Sequence, residues 1–340
     1  MKKILIFLFC LYSLGNLFTG CTKWTDQEAL IVQSLDADNN SLGPNYKKYL
    51  EKLRAYKQSA HPQAIGLFNT NNWKTDATQQ STFLYSLPDS LDMICLLNQD
   101  SLMTSEQKAD MSATQATKGT KMLMSFDLIR MNKRLKDRLP ASPSKDEITT
   151  SINAYVDSML NIYQQNKYNG IYIRYEDLYC FNCKEILSDI NLVSGLISRI
   201  AAANFSKKIL FQFKGTDAVY LKDEAAARID YFVLNSLNVK STSYYEYDGF
   251  LEFFTKIKDF NPSKFILLAS FEGDRWKMGG DEFPVGNSTF IGTSEALARW
   301  NVTGGKKGGL GIYYIEQDYK NNPPFKYSRN ALQILNPAIK

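Results

Sequence analysis

The sequence predicts an α/β fold, a (β/α)8 TIM barrel. Three observations carry this expectation. Eight short runs are near-continuously apolar, as strands buried on both faces are. Helix-like stretches separate most of them. The repeat extends over about 250 residues, the span of an eight-stranded barrel. An open, doubly wound sheet would want a Gly-rich phosphate turn after an early strand, and the sequence has none.

The elements follow in order. Asn45 to Ser59 reads as a helix, with Tyr46, Leu50, Leu53 and Tyr56 at helical spacing. The strands are expected at Ala64–Phe68, Met93–Leu97, Lys121–Phe126, Gly170–Tyr175, Ile209–Phe213, Tyr231–Leu234, Phe265–Ala269 and Gly309–Ile315. Helices are expected at Glu147–Gln165, Ile186–Ala203 and Tyr247–Lys258. The glycine run from Gly304 to Gly311 is not a phosphate loop. It lacks the Lys-Ser or Lys-Thr pair and precedes a strand instead of opening a helix. It reads as the turn into the last strand.

Residues 1–20 have the pattern of an export signal. Lys2 and Lys3 form a basic start, and Ile4 to Phe18 is an apolar run too short for a good membrane span. The run ends Leu17-Phe18-Thr19-Gly20-Cys21. Small residues directly before a Cys resemble the lipobox of bacterial lipoproteins, which implies that Cys21 is lipidated and becomes the mature N-terminus. Cleavage there would leave 320 of the 340 residues and, by removing Lys2 and Lys3, lower the formal charge from +5 to +3. Residues 21–44 then read as a polar tether and 45–340 as a single barrel domain. The expected location is a lipid anchor in the cell envelope, in the outer membrane of a Gram-negative bacterium and facing its surface. Asp26 and Glu28, just after Cys21, agree with surface export.

Composition removes several chemistries. The single histidine, His61, cannot build a His-rich metal site, so no metal and no cofactor is expected. Any Ser-His-Asp or Cys-His nucleophile would have to recruit that one residue. A charge of +5 is too mild to argue for nucleic acid. Cys180-Phe-Asn-Cys183 is a lone CxxC with neither a second ligand pair nor a thioredoxin-like context, and reads as two loop thiols or one local disulfide.

The fourth strand carries the chemistry. It reads Asn169-Gly170-Ile171-Tyr172-Ile173-Arg174-Tyr175-Glu176. This resembles the DGxDxDxE strand of glycoside hydrolase family 18, the chitinases and endo-β-N-acetylglucosaminidases. The likeness spans residues 62–335, loosely outside this strand, and is nearest to the single-domain endoglycosidase type of lipoprotein. It implies Glu176 as the acid that protonates the glycosidic oxygen. In that family the Asp two residues earlier orients the substrate's 2-acetamido group, which acts as nucleophile.

Here Tyr172 and Arg174 stand at the two inner Asp positions. Strand alternation sends Tyr172, Arg174 and Glu176 into the barrel. A cation at 174 cannot stabilise an oxazolinium-like cation, and it should pair with Glu176 and hold it ionised. A general acid must instead carry its proton. A second departure lies after the sixth strand. The family commonly places a Gln-x-Tyr-like triplet there, whereas this chain has Asn235-Ser236-Leu237, and Leu237 cannot donate to the acetamido carbonyl.

The expectation is therefore a catalytically impaired binder of N-acetylglucosamine-containing glycan, with surface glycan-uptake proteins as partners. The alternative is a working hydrolase that uses Glu176 with a displaced carboxylate, Asp127 or Glu272. A third reading is an assembly subunit with a vestigial cleft. Candidate sugar contacts at the strand ends are Asn69, Trp73, Asn98, Asp127, Gln212, Asn235, Glu272, Trp276 and Tyr313, with Glu316 beside the last. Planar amides suit hydroxyls, and aromatic faces suit sugar C–H surfaces.

Overall fold

A computed structural model describes residues 43–73, 82–176, 178, 185–203, 208–215, 217–235, 249, 251–252, 254–286, 288–302 and 305–337. The export signal, Cys21, Cys180, Cys183 and Leu237 lie outside these residues, as do Tyr247, Asp248, Phe250 and Phe253 of the expected helix at 247–258.

Eight strands close into one parallel barrel: β1 (Gln63–Asn69), β2 (Met93–Leu97), β3 (Lys121–Asp127), β4 (Gly170–Arg174), β5 (Lys208–Phe213), β6 (Tyr231–Asn235), β7 (Phe265–Ser270) and, after a two-stranded hairpin of β8 (Glu282–Gly286) and β9 (Thr289–Gly292), β10 (Gly309–Tyr313). β10 pairs with β7 on one side and β1 on the other, which seals the ring. All eight expected strands are present. The antiparallel hairpin was not foreseen from the sequence.

Helices α1 (Gly43–Gln58), α2 (Ser105–Lys118), α3 (Leu128–Arg138), α4 (Lys145–Gln165), α5 (Ile190–Ala203), the short α6 (Asp223–Ala226), α7 (Thr293–Arg299) and α8 (Lys326–Leu335) surround or flank the barrel. α1 starts two residues before the expected boundary, at Gly43-Pro44, because Pro is tolerated in a first turn. Thr104 with Gln107, and Ser144 with Glu147, form reciprocal caps that start α2 and α4. The expected helix from Ile186 is split. Asp189 accepts from the Asn191 N–H, which ends a 3-10 turn at Ser188 before α5 begins.

Two apolar layers follow from strand alternation. Inside the barrel, Ile65, Leu67, Met93, Cys95, Leu123, Tyr172, Leu210, Val233, Ile266, Leu268 and Tyr313 pack together. Outside, Phe68, Ile94, Phe126, Ile171, Ile173, Phe211, Phe232 and Leu267 pack against the helices. The strand interior is therefore a filled core, and any site must lie at its ends.

Candidate functional site

Asn169 and Gly170 set the start of β4. The Asn169 Oδ1 accepts from the Met122 N–H at 2.9 Å and from Gln115 Nε2 at 2.6 Å. Gly170 lies so close to its neighbours that a Cβ would stand 2.6 Å from the Lys208 carbonyl oxygen and 2.6 Å from Leu123 Cδ2. Both residues have a folding role at the end of the barrel away from the mouth.

Two residues on, Tyr172 is fully buried in the interior layer, and its hydroxyl has no hydrogen-bond partner among the described residues. Burial first, and then the thiol of Cys95 and the carboxylate of Glu176, hold its phenol well above the ordinary range, so it stays neutral. Arg174, the last residue of β4, pairs in register with Asp127 on β3 and with Gln212 on β5. Its Nη1 donates to Asp127 Oδ2 at 2.7 Å, and its Nη2 lies 3.7 Å from Glu176 Oε2. Desolvation works against the guanidinium, but Asp127 and Glu176 outweigh it and keep the charge fixed.

The expected pair of Arg174 with Glu176 is thus present, yet Asp127 is the nearer partner. Asp127 has a second task. Its Oδ1 accepts from the Arg130 N–H at 3.0 Å and caps α3. Gln212 is fully buried beside Arg174, and neither its amide nitrogen nor its oxygen has a partner among the described residues. Tyr313 closes the other side of this group and stacks edge-on against Tyr314, with ring centroids 4.3 Å apart.

Other candidates form a second cluster. Asn69 accepts from the Asn71 N–H at 3.1 Å and from Asn98 Nδ2 at 3.3 Å. Asn98, at φ 64°, accepts from Arg130 Nη2 at 2.7 Å. Arg130 also reaches Asp100 at 2.8 Å, so it joins the β2 end to the helix that Asp127 caps. The Asn69 N–H donates to Glu316 Oε2 at 3.3 Å. Burial pushes the Glu316 carboxyl up to about 7. Arg130 was missed in the sequence. Its only local signal is its place three residues after a capping Asp.

Three further candidates differ in their placement. Trp73 is not a sugar platform. It is 6% exposed, its Nε1 donates to buried Asp110 at 2.8 Å, and its ring meets Phe68 edge-on in the outer layer. Glu272 is exposed, with its N–H donating to Ser270 Oγ, and its carboxylate acts on the Tyr313 phenol at the edge of the Arg174 group. Trp276 is half-buried between two cations, Lys277 at 5.9 Å and Lys320 at 5.4 Å from the ring centroid. Asn235 ends β6 at the same end of the barrel and is 7% exposed. Among the described residues no group of three or more His, Cys, Asp or Glu could hold a metal ion.

Asp127 and Glu176 thus both lie beside the Arg174 guanidinium, and Glu316 and the Asp100–Arg130 pair lie at the same end of the barrel.

Comparison with known proteins agrees with this architecture. The sequence model of glycoside hydrolase family 18, BT1044-like, matches residues 25–334. Endo-beta-N-acetylglucosaminidase F2 of Elizabethkingia meningoseptica is 22% identical over 97% of this chain and 98% of its own length. Among solved structures, a selenomethionine form of BT1044 superposes with a TM-score of 0.73 at 21% identity, covering 90% of this chain and 98% of that one. An endo-beta-N-acetylglucosaminidase mutant from Cordyceps militaris, in complex with fucosyl-N-acetylglucosamine-Asn, gives a TM-score of 0.60 at 15% identity, covering 85% and 96%.

Proposed function

The chain belongs to glycoside hydrolase family 18, in its BT1044-like group, and from that premise we propose that it binds N-acetylglucosamine-containing glycan without hydrolysing it. One observation carries the reading. Arg174 occupies the position two residues before Glu176, fixed by Asp127 at 2.7 Å and 3.7 Å from Glu176. A substrate-assisted mechanism needs a carboxylate there to steady the cationic intermediate, and a proton on the acid. The guanidinium opposes both. Asp127 does not replace the lost carboxylate, because one of its oxygens is bound to Arg174 and the other to the start of α3.

What remains suits recognition. Trp276 presents part of an aromatic face, and Asn69 and Asn98 place their amide groups at the mouth end of the barrel. Lipidation at Cys21 would hold such a binder at the cell envelope, alongside glycan-uptake proteins.

The test has two arms. Wild-type protein is incubated for a long period with N-glycoproteins and chitooligosaccharides, and products are read by mass spectrometry. The same protein is applied to a glycan array. Retention without released glycan is expected. Released glycan that disappears in Glu176→Gln would establish a working enzyme and end the binding reading.

A further inference from the structure

The end of the barrel opposite the mouth carries a cavity of about 640 Å³ between the N-terminal ends of β1 and β10. Its wall includes Arg299 at the end of α7, Lys306 and Lys307 before β10, and His61 before β1. No carboxylate is among its described lining residues. His61 is bound to Asp92 at 2.9 Å, and Arg299 to Glu295 at 2.7 Å. Lys306 and Lys307 have no carboxylate partner among the described residues.

Lys307 is the unusual one. It is 3% exposed, and its ammonium donates to the carbonyls of Ala298, at 2.7 Å, and Trp300, where α7 ends. An ammonium has three hydrogens to give; no described oxygen or nitrogen takes the third, and the ammonium lies over the Trp300 ring, 6.0 Å from its centroid. Burial alone pulls this lysine down to about 8. Carbonyls and a ring face offset only part of the cost of burying a cation, no described residue supplies a full counter-charge, and a bound anion would supply one.

We infer that this cavity is an oxyanion site, which takes a phosphate or sulfate group on Lys307 and Lys306, with Asn301 beside them. The ligand chemistry is that of a compact tetrahedral oxyanion, carried by a soluble molecule or by a lipid headgroup. Tyr56, Pro62 and Leu335 give the cavity an apolar side against which the body of such a ligand can lie. The site is separate from the mouth and does not depend on whether the mouth binds or cleaves glycan.

The experiment is calorimetric titration of the full chain with sodium sulfate, against sodium chloride at equal ionic strength. Saturable sulfate binding is expected in the wild type. It should weaken at least about tenfold in Lys307→Met and severalfold in Lys306→Ala, as loss of a charge-assisted contact requires. Lys306 is exposed, so its variant keeps the test valid if Lys307→Met does not fold. Phosphatidylglycerol vesicles supply the second arm. Vesicle binding that sulfate competes away assigns a lipid headgroup, and sulfate binding without vesicle binding assigns a soluble ligand. Sulfate binding no stronger than chloride, or equal in wild type and Lys306→Ala, would overturn the inference.

Discussion

Asp127 and Arg174 are register partners on adjacent strands, and their side chains meet at 2.7 Å. The pair is mostly shielded, with side chains 17% and 14% exposed. Removing one member of such a pair leaves the other charge unmatched. Arg174→Ala, which leaves Asp127 and Glu176 facing each other, should lower stability by about 3–5 kcal/mol. Urea unfolding monitored by fluorescence checks this.

Restoring the motif carboxylate should not restore turnover. In Arg174→Asp, Tyr172 still fills the other inner position and three carboxylates crowd the mouth. We expect a less stable protein with no released glycan by mass spectrometry. Glycan affinity in Glu176→Gln should stay within about twofold of wild type, since binding requires no proton transfer.

The two tryptophans should separate. Trp73→Phe loses the hydrogen bond to buried Asp110 and should destabilise the fold by about 1–3 kcal/mol with array retention unchanged. Trp276→Ala should leave the unfolding midpoint nearly unchanged and reduce glycan retention. The reverse pattern would assign Trp73 to the ligand.

Glu316 gives a pH dependence whose sign is fixed by burial. Its carboxyl lies at about 7 in the fold, against about 4.5 when exposed. The folded state therefore holds this proton more tightly. The stabilisation is complete below pH 4.5 and is lost as pH rises through 7. Glu316→Gln should remove that slope and be the more stable protein at pH 8, by on the order of a few kcal/mol. Unfolding curves at pH 5 and pH 8 for both proteins read it directly.

Anchoring has its own test. Cys21→Ala should move the protein from the membrane fraction to the soluble one, because stable attachment needs several acyl chains and the variant can accept none. Retention of the variant in the membrane fraction would refute lipidation at Cys21.

The barrel was legible in the sequence because its strands are continuous apolar runs set by local pattern. The inward line of Tyr172 and Arg174 followed from alternation alone. Long-range partnerships were not legible. Nothing near Trp73 announces that Asp110, 37 residues later, will take its indole N–H. Nor does the chain near Arg174 say that Asp127, 47 residues earlier, will be its nearest partner. The hairpin of β8 and β9 escaped because its exposed face, with Val285 and Phe290, lacks a clean alternation of apolar and polar residues.

Gly170 divides the signature strand into two parts that tolerate change unequally. A side chain there would collide with the backbone of β5, so a substitution at this position works against folding of the barrel. Position 174 accepts a side chain as large as arginine inside a closed barrel. Of the motif's opening pair the glycine is kept as Gly170, while Asn169 stands where the motif has Asp. A search that weighs every position of the motif equally therefore overlooks that its glycine is set by folding and not by chemistry.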